Sequence, residues 1–96
     1  MFIIAAKYIK PVEEIDRALS EHYEFLGKYY AQGIFICSGR MSPRIGGVII
    51  CNAADRAEVE KIIEEDIFSR NKLVKYEIIE FIPTKYADGF EKFICQ

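Results

Sequence analysis

The chain has 96 residues, 51% of them hydrophobic, and a formal net charge of −2. A chain of this length predicts one domain covering residues 1–96. So small a domain buries only about 60–65% of its unfolded surface, so its high apolar content exceeds what one core can use and favours an oligomer. The low charge without a basic stripe argues against a nucleic-acid partner, and no apolar run approaches the ~18 residues of a membrane span.

The first half of the chain predicts a strand, a helix and a second strand. Residues 2–9 are rich in aromatic and β-branched side chains, which is typical of a strand. A helix follows over residues 11–32, with a proline that suits its first turn and Gly33 as its C-terminal cap. Residues 34–38 predict a strand, and residues 39–46, with their glycine, serine and proline, predict a loop.

The second half predicts a strand, a helix and a last strand. Residues 47–52 contain the strand-like run V-I-I-C. Asp55 and Glu58 form a capping pair at the start of a second helix, which ends near Asp66. Residues 75–83 predict the last long strand. The remaining residues form a tail with three aromatic side chains, which a partner could order.

The order β-α-β-β-α-β is typical of an α+β, ferredoxin-like fold, in which two helices cover one face of a four-stranded antiparallel sheet. Apolar residues are consecutive at 3–6 and 48–51, and fill four of the five positions 78–82. A sheet covered on one side should instead alternate apolar with polar residues. We therefore predict a homodimer through the open sheet face, as in a dimeric α/β barrel. The alternative is that exposed apolar residues are simply tolerated on central strands.

His22 is the single histidine of the chain and lies on the apolar stripe of the first predicted helix. Asp66 continues the apolar spacing of the second helix. The stripe residues are Ile15, Leu19, Leu26 and Tyr29 on the first helix, and Val59, Ile62 and Ile63 on the second. Two titratable groups directed from two helices toward one sheet predict a His–Asp catalytic pair. The alternative is a hydrogen-bonded structural histidine.

The topology of this fold also brings polar loop residues to the same end of the sheet as Asp66. The candidate substrate-binding residues there are Ser38, Gly39, Arg40 and Arg44. Arg70 and Lys72 follow Asp66 and are further candidate cations for an anionic ligand. Each of these residues, taken alone, could equally be an ordinary strand end or solvated loop charge.

The cysteines do not form a recognisable metal or redox motif. Cys37, Cys51 and Cys95 are widely spaced, with no C-x-x-C pair and a single histidine to accompany them. Buried, reduced thiols in a cytoplasmic protein are the simplest interpretation, and no secretion signal is recognised at the start of the chain. We expect neither a metal nor a cofactor.

Several runs resemble the YciI-like, or YCII-related, proteins in matching order. They are H-Y-E-F-L at 22–26, Y-Y-A-Q-G-I-F-I-C-S-G at 29–39, P-R-I-G-G-V-I-I at 43–50 and E-D-I-F at 65–68. The resemblance implies a small cytosolic protein of the dimeric α/β barrel group. It matches His22 to the family histidine, Asp66 to the aspartate of a D-P-[FY] motif, and Ser38 with Gly39 to an S-G element.

The chain also departs from the family pattern at three positions near the candidate site. Ile67 stands where the family usually has proline, Lys72 where it often has glycine, and Arg40 where proline is frequent. These changes alter the loop after the aspartate and the rim of the cleft.

Two functions of different classes follow from these residues. The first is a cofactor-free enzyme in which His22 is the general base or acid and Asp66 orients it, with Ser38 or nearby N–H groups binding a substrate oxygen. Isomerase or lyase chemistry on a small hydroxylated cyclic or aromatic compound, anionic or phenolic, is implied in part by the resemblance. The second is a non-catalytic ligand-binding or stress-associated module. A purely structural dimer explains the His–Asp pair least well.

Overall fold

The computed structural model describes residues 1–94, which fold as a ferredoxin-like α+β sandwich. The elements are β1 Phe2–Tyr8, α1 Val12–Ala31, β2 Phe35–Arg40, β3 Gly46–Cys51, α2 Arg56–Glu64, α3 Ile67–Arg70, β4 Val74–Glu80 and a 3₁₀ helix Phe90–Phe93. All neighbouring strands are antiparallel, in the order β2-β3-β1-β4. The strand and helix order predicted from the sequence is confirmed, and two short helical segments, α3 and the 3₁₀ helix, are additional within residues 1–94. No helix within residues 1–94 is long and apolar enough to cross a membrane.

Helix α1 begins one residue later than predicted. Pro11 is the N-cap, with φ −57° and ψ 149°, and its carbonyl accepts hydrogen bonds from Glu14 and Ile15. The helix therefore starts after the proline. Proline is tolerated here because it has no N–H group, and the first N–H groups of a helix have no partner within the helix. Gly33, with φ +74°, ends the helix in the left-handed conformation that glycine adopts without strain.

The predicted second helix ends two residues before Asp66, and a short helix that the sequence did not predict, α3, follows in the expected loop. Helix α2 starts as predicted, with the Glu58 amide donating to the Asp55 side chain at 2.8 Å. It ends at Glu64, and Asp66 then caps the four-residue helix α3 by accepting a hydrogen bond from the Phe68 amide at 3.1 Å. Asp66 therefore belongs to the start of α3, where an acidic N-cap is favoured, and not to the end of α2.

Strands β2 and β3 extend further into the predicted 39–46 loop than the glycines suggested. Gly39 and Arg40 pair with Val48 and Gly47, and the loop is reduced to residues 41–45. Gly46 is required in β3, because a Cβ atom there would lie 2.0 Å from the Ala6 carbonyl oxygen. The glycines here serve close strand packing as well as turning the chain.

The two cysteines that the structure describes differ in environment. Cys51 is buried among the core side chains, and burial raises the pKa of its thiol. Cys37 is exposed, so the prediction of buried thiols is wrong for this residue. Cys37 pairs with Ile50. Side chains alternate between faces along a strand, so Ile50, next to the buried Cys51, points away from the helices, and Cys37 lies on that same open face. Cys95 lies outside the described residues.

The sheet face opposite the helices is largely apolar at its centre. Ile3 pairs with Ile50 on one side and with Ile79 on the other, so the three isoleucines form a row across this face. Ile79 is 45% exposed, and the other two are partly exposed. Ala5 and Val48 pair in the adjacent row. This open face is the surface from which the sequence predicts dimerisation.

The turn between α3 and β4 holds a lysine in a backbone conformation that favours glycine. Lys72 has φ +54°, and its amide donates to the Ser69 carbonyl. A side chain in this region costs about 1–2 kcal/mol. We expect Lys72→Gly to raise the melting temperature by about 3–6 °C in a thermal melt, since part of the gain is offset by the chain entropy of glycine. Lys72→Ala is the control, and an equal gain with alanine would contradict the backbone explanation.

Candidate active site

A cavity of about 510 Å³ lies between α1 and the sheet. It exists because two small residues occupy the centre of the sheet at this level. Ala6 of β1 pairs with Gly47 of β3, and this pair is flanked by Arg40 on β2 and Tyr76 on β4. Paired residues of neighbouring strands point to the same face. The row therefore has long side chains at its two ends and open space above its middle.

His22 and Asp66 are hydrogen-bonded to each other at the wall of this cavity. Nδ1 of His22 lies 2.9 Å from Oδ1 of Asp66. The carboxylate is almost fully buried, with 1% of Asp66 exposed, whereas 15% of the His22 side chain is exposed. Because a carboxylate only accepts hydrogen bonds, Nδ1 carries the proton and the lone pair of the neutral ring is on Nε2.

The ring of His22 is oriented by stacking as well as by the carboxylate. It lies parallel to the Phe68 ring, with centroids 4.0 Å apart and an interplanar angle of 7°. Within residues 1–94, no buried side-chain nitrogen or oxygen lacks a partner, and Nε2 of His22 has no hydrogen bond. Nε2 is therefore accessible, and since His22 lines the cavity, it is available to a bound molecule.

Asp66 is held by three donors, of which the sequence revealed only the histidine. The Phe68 amide donates to Oδ1, and the Tyr76 hydroxyl donates to Oδ2 at 2.6 Å. Burial, together with the nearby carboxylate, raises the pKa of Tyr76, so the phenol stays protonated and remains a donor. The sequence analysis missed Tyr76 because aromatic residues are common in strands. A buried tyrosine hydroxyl needs a hydrogen-bond partner, and this requirement on the core-facing side of β4 could have indicated a polar site nearby.

Glu65, the residue before Asp66, ties this segment to helix α1. Its carboxylate accepts hydrogen bonds from Lys28 and from the Tyr29 hydroxyl, both at 2.6 Å. The hydrogen bond from Lys28, followed by that from Tyr29, lowers the pKa of Glu65. The α2–α3 junction is thereby fixed against the helix that carries His22.

The four predicted binding residues Ser38, Gly39, Arg40 and Arg44 all line the same cavity as the His–Asp pair. The Ser38 hydroxyl is hydrogen-bonded to the Tyr30 hydroxyl at 2.6 Å. The topology argument therefore predicted that these four residues lie near the His–Asp pair, and the structure places them around one cavity.

The structure does not bring Arg70 and Lys72 to the cavity, and this part of the prediction is wrong. Neither residue is in its lining. The Arg70 guanidinium instead lies 3.4 Å from the Glu21 carboxylate, on the exposed side of α1. The unforeseen helix α3 occupies the segment where the sequence predicted a loop, and of its four residues only Phe68 lines the cavity. Within residues 1–94, no three His, Cys, Asp or Glu side chains are grouped so as to hold a metal ion.

The rest of the cavity wall is mainly apolar and aromatic. These residues are Ile4, Tyr8, Leu19, Tyr23, Leu26, Val48, Ile49 and Phe68. A volume of this size and a wall of this kind suit a small organic molecule, which a few polar groups would orient. The site can therefore hold a ring-sized ligand against Nε2 of His22.

Comparison with solved structures finds a similar fold in 5-chloro-2-hydroxyhydroquinone dehydrochlorinase from Burkholderia phenoliruptrix AC1100, in complex with 2,5-dihydroxybenzoquinone. The TM-score is 0.72 at 16% identity, over 85% of this chain and 94% of that one. No curated protein matches the sequence significantly. The family model of the YCII-related domain matches residues 1–82. This chain therefore belongs to the YCII-related domain family.

Proposed function

We propose that this protein is a cofactor-free enzyme that performs acid–base chemistry, of the isomerase or lyase type, on a small hydroxylated cyclic or aromatic compound. The observation that carries the proposal is the His22–Asp66 hydrogen bond at the wall of a ring-sized cavity, with Nε2 accessible. A buried carboxylate on one ring nitrogen, with the other nitrogen free, is the arrangement that a general base requires.

In the proposed reaction, Nε2 of His22 removes a proton from an O–H or C–H group of the substrate. The electron pair left behind moves into the ring system. That electron pair then expels a leaving group, or the substrate takes the proton back from His22 at a different atom. Asp66 stabilises the imidazolium formed in between and keeps the ring oriented. Ser38 and the backbone at Gly39 are proposed to bind a substrate oxygen, and Arg40 and Arg44 to attract an anionic group.

The relative of known structure supports the substrate class. Its name describes a dehydrochlorinase of a hydroxyhydroquinone, and its bound ligand is a dihydroxybenzoquinone. Dehydrochlorination removes a proton and a chloride ion from the substrate, and a general base can accept that proton. A hydroxylated six-membered ring also fits the cavity volume and the aromatic wall described above.

The proposal is tested by a screen for turnover of hydroxylated aromatics and lactones, in the presence of a chelator. We expect turnover of at least one compound by the wild type, and loss of that turnover in His22→Gln. Turnover that the chelator abolishes would rule out the mechanism. Binding without turnover across the screen would favour the non-catalytic ligand-binding module instead.

We propose further that the protein is a cytoplasmic homodimer that pairs through the open sheet face. The free thiol of Cys37 on that face suits a reducing compartment. The row formed by Ile50, Ile3 and Ile79 supplies the apolar centre that a stable interface needs. A second copy of the same face would cover it, burying about 1,500 Å² or more in total.

Sedimentation equilibrium at micromolar concentration tests the dimer. We expect twice the 11.1 kDa mass of one chain. Ile3→Glu places a charge at the centre of the isoleucine row and should yield monomers, because the carboxylate would have to be buried unpaired. Lys61→Glu, an exposed position on helix α2 on the other face of the sheet, is the control and should leave the dimer intact. A wild-type monomer would contradict the proposal.

A further inference from the structure

The cavity has a second polar end that the His–Asp pair does not use. Arg40 lies on the edge strand β2, at the opposite end of the cross-strand row from Tyr76, the residue that holds Asp66. Three strand spacings of about 4.8 Å separate the two Cα atoms by roughly 14 Å. Both residues line the cavity. A molecule lying over Ala6 and Gly47 would therefore have Arg40 at one end and the His–Asp pair at the other.

The two arginines of the cavity are in different states. Arg44 is paired with Asp16 at 2.5 Å and lies over the Tyr8 ring, and the hydrogen bond to Asp16 raises its pKa. Asp16 therefore balances its charge. Arg40 is exposed, and within residues 1–94 its guanidinium has no hydrogen bond, ion pair or ring contact. Its positive charge is the uncompensated one at this end of the cavity.

The backbone under Arg40 is fixed by the sheet, which separates it from an ordinary loop charge. It pairs in the ladder with Gly47, which pairs in turn with Ala6, so no side chain stands between Arg40 and Ala6 along this row. A guanidinium is planar, is charged at all physiological pH values, and binds carboxylates through two parallel hydrogen bonds. An unpaired guanidinium at one end of a ring-sized cavity has the charge and the donors that an anionic substituent on a bound ring needs.

We infer that Arg40 selects substrates that carry a carboxylate or similar oxyanion on the side of the ring opposite the group that yields its proton to His22. This inference rests on the proposed function, since it assigns one end of the same ligand. It narrows the substrate class from hydroxylated rings in general to hydroxylated aromatic acids. It also narrows the role proposed above for the two arginines: Arg40 makes the contact with the substrate anion, whereas Arg44, already paired with Asp16, is not needed for it.

The test compares two ligands that differ in charge and little in shape, 2,5-dihydroxybenzoate and 2,5-dihydroxybenzamide, by titration calorimetry on the full chain. We expect the acid to bind the wild type about five- to tenfold more tightly than the amide at low salt. This preference should shrink as ionic strength rises, because Arg40 is exposed. In Arg40→Gln the ratio of the two affinities should fall to about one, and Arg40→Lys should retain part of it.

Arg70→Gln is the matched control, because Arg70 is an exposed arginine that pairs with Glu21 outside the cavity. It should keep the wild-type ratio. Equal binding of acid and amide by the wild type would overturn the role of Arg40 while leaving the proposed acid–base function standing. A preference that persists in Arg40→Gln and disappears in Arg44→Gln would also overturn it. If neither compound binds, the cavity does not take hydroxylated rings of this kind, and both proposals fail.

Discussion

His22→Ala is expected to lower turnover about a hundred- to ten-thousandfold while the protein remains folded. The loss follows from removing the general base at Nε2. The fold should survive, because Asp66 keeps its hydrogen bonds from the Phe68 amide and the Tyr76 hydroxyl, and the vacated space opens into an existing cavity. We expect the free energy of unfolding to fall by about 1–2 kcal/mol, measured by urea denaturation.

Two further measurements separate a catalytic histidine from a structural one. Free imidazole added to His22→Ala should restore part of the turnover, since the vacated ring position adjoins the cavity, and it should do nothing for the wild type. Ser20→Ala, an exposed position on the same helix, should leave both rate and stability unchanged. A fall of more than ~3 kcal/mol in stability with intact turnover would make His22 a core residue and contradict the catalytic role.

The overall fold was predictable from the sequence because each main element carries its own local pattern. Strand-like runs, helical stripes, and the Gly33 and Asp55 caps all occur where the structure has them. The short helix α3 was not predictable, since four residues are too few for a helical period to show. The extension of β2 to Arg40 was missed for a related reason: glycine weakens strand propensity, but the pairing of Gly39 with Val48 overrides it.

The candidate site was predictable in its members but not in its geometry. His22 and Asp66 were identifiable because titratable groups stood among apolar helical positions. Their contact depends on α3, because the N-cap position of this helix directs the Asp66 carboxylate toward α1. Tyr76 and Phe68 were hidden, since an aromatic residue in an apolar run resembles a core residue until its neighbours are known.

Asp66 has a structural and a proposed chemical role at once, and this joins stability to function at the site. One carboxylate caps α3, receives the Tyr76 hydroxyl and holds the His22 ring. A substitution that removes its shape therefore tests all three roles together. A substitution that removes only its charge tests the chemistry.

Asp66→Asn is that substitution, and we expect it to lower turnover about a hundredfold or more while changing ligand affinity by only a few fold. The asparagine oxygen can still accept from His22 and the Phe68 amide, and its NH₂ group can donate to the Tyr76 hydroxyl oxygen, so the geometry is retained. What is lost is the negative charge that stabilises the imidazolium. Steady-state kinetics should show the loss in kcat with KM nearly unchanged.

Asp55→Asn is the matched control, because Asp55 caps α2 as Asp66 caps α3 but lies outside the cavity lining. It should leave turnover unchanged, which separates the charge beside His22 from helix capping in general.

Tyr76→Phe should give an intermediate loss of kcat, since it removes one donor that holds the Asp66 carboxylate. The double variant His22→Ala with Asp66→Asn should be no slower than His22→Ala alone, because a carboxylate that acts through the histidine has nothing left to assist. If Asp66→Asn retains wild-type turnover, or if the two losses multiply, Asp66 does not act through His22 and the proposed pair is not the catalytic unit.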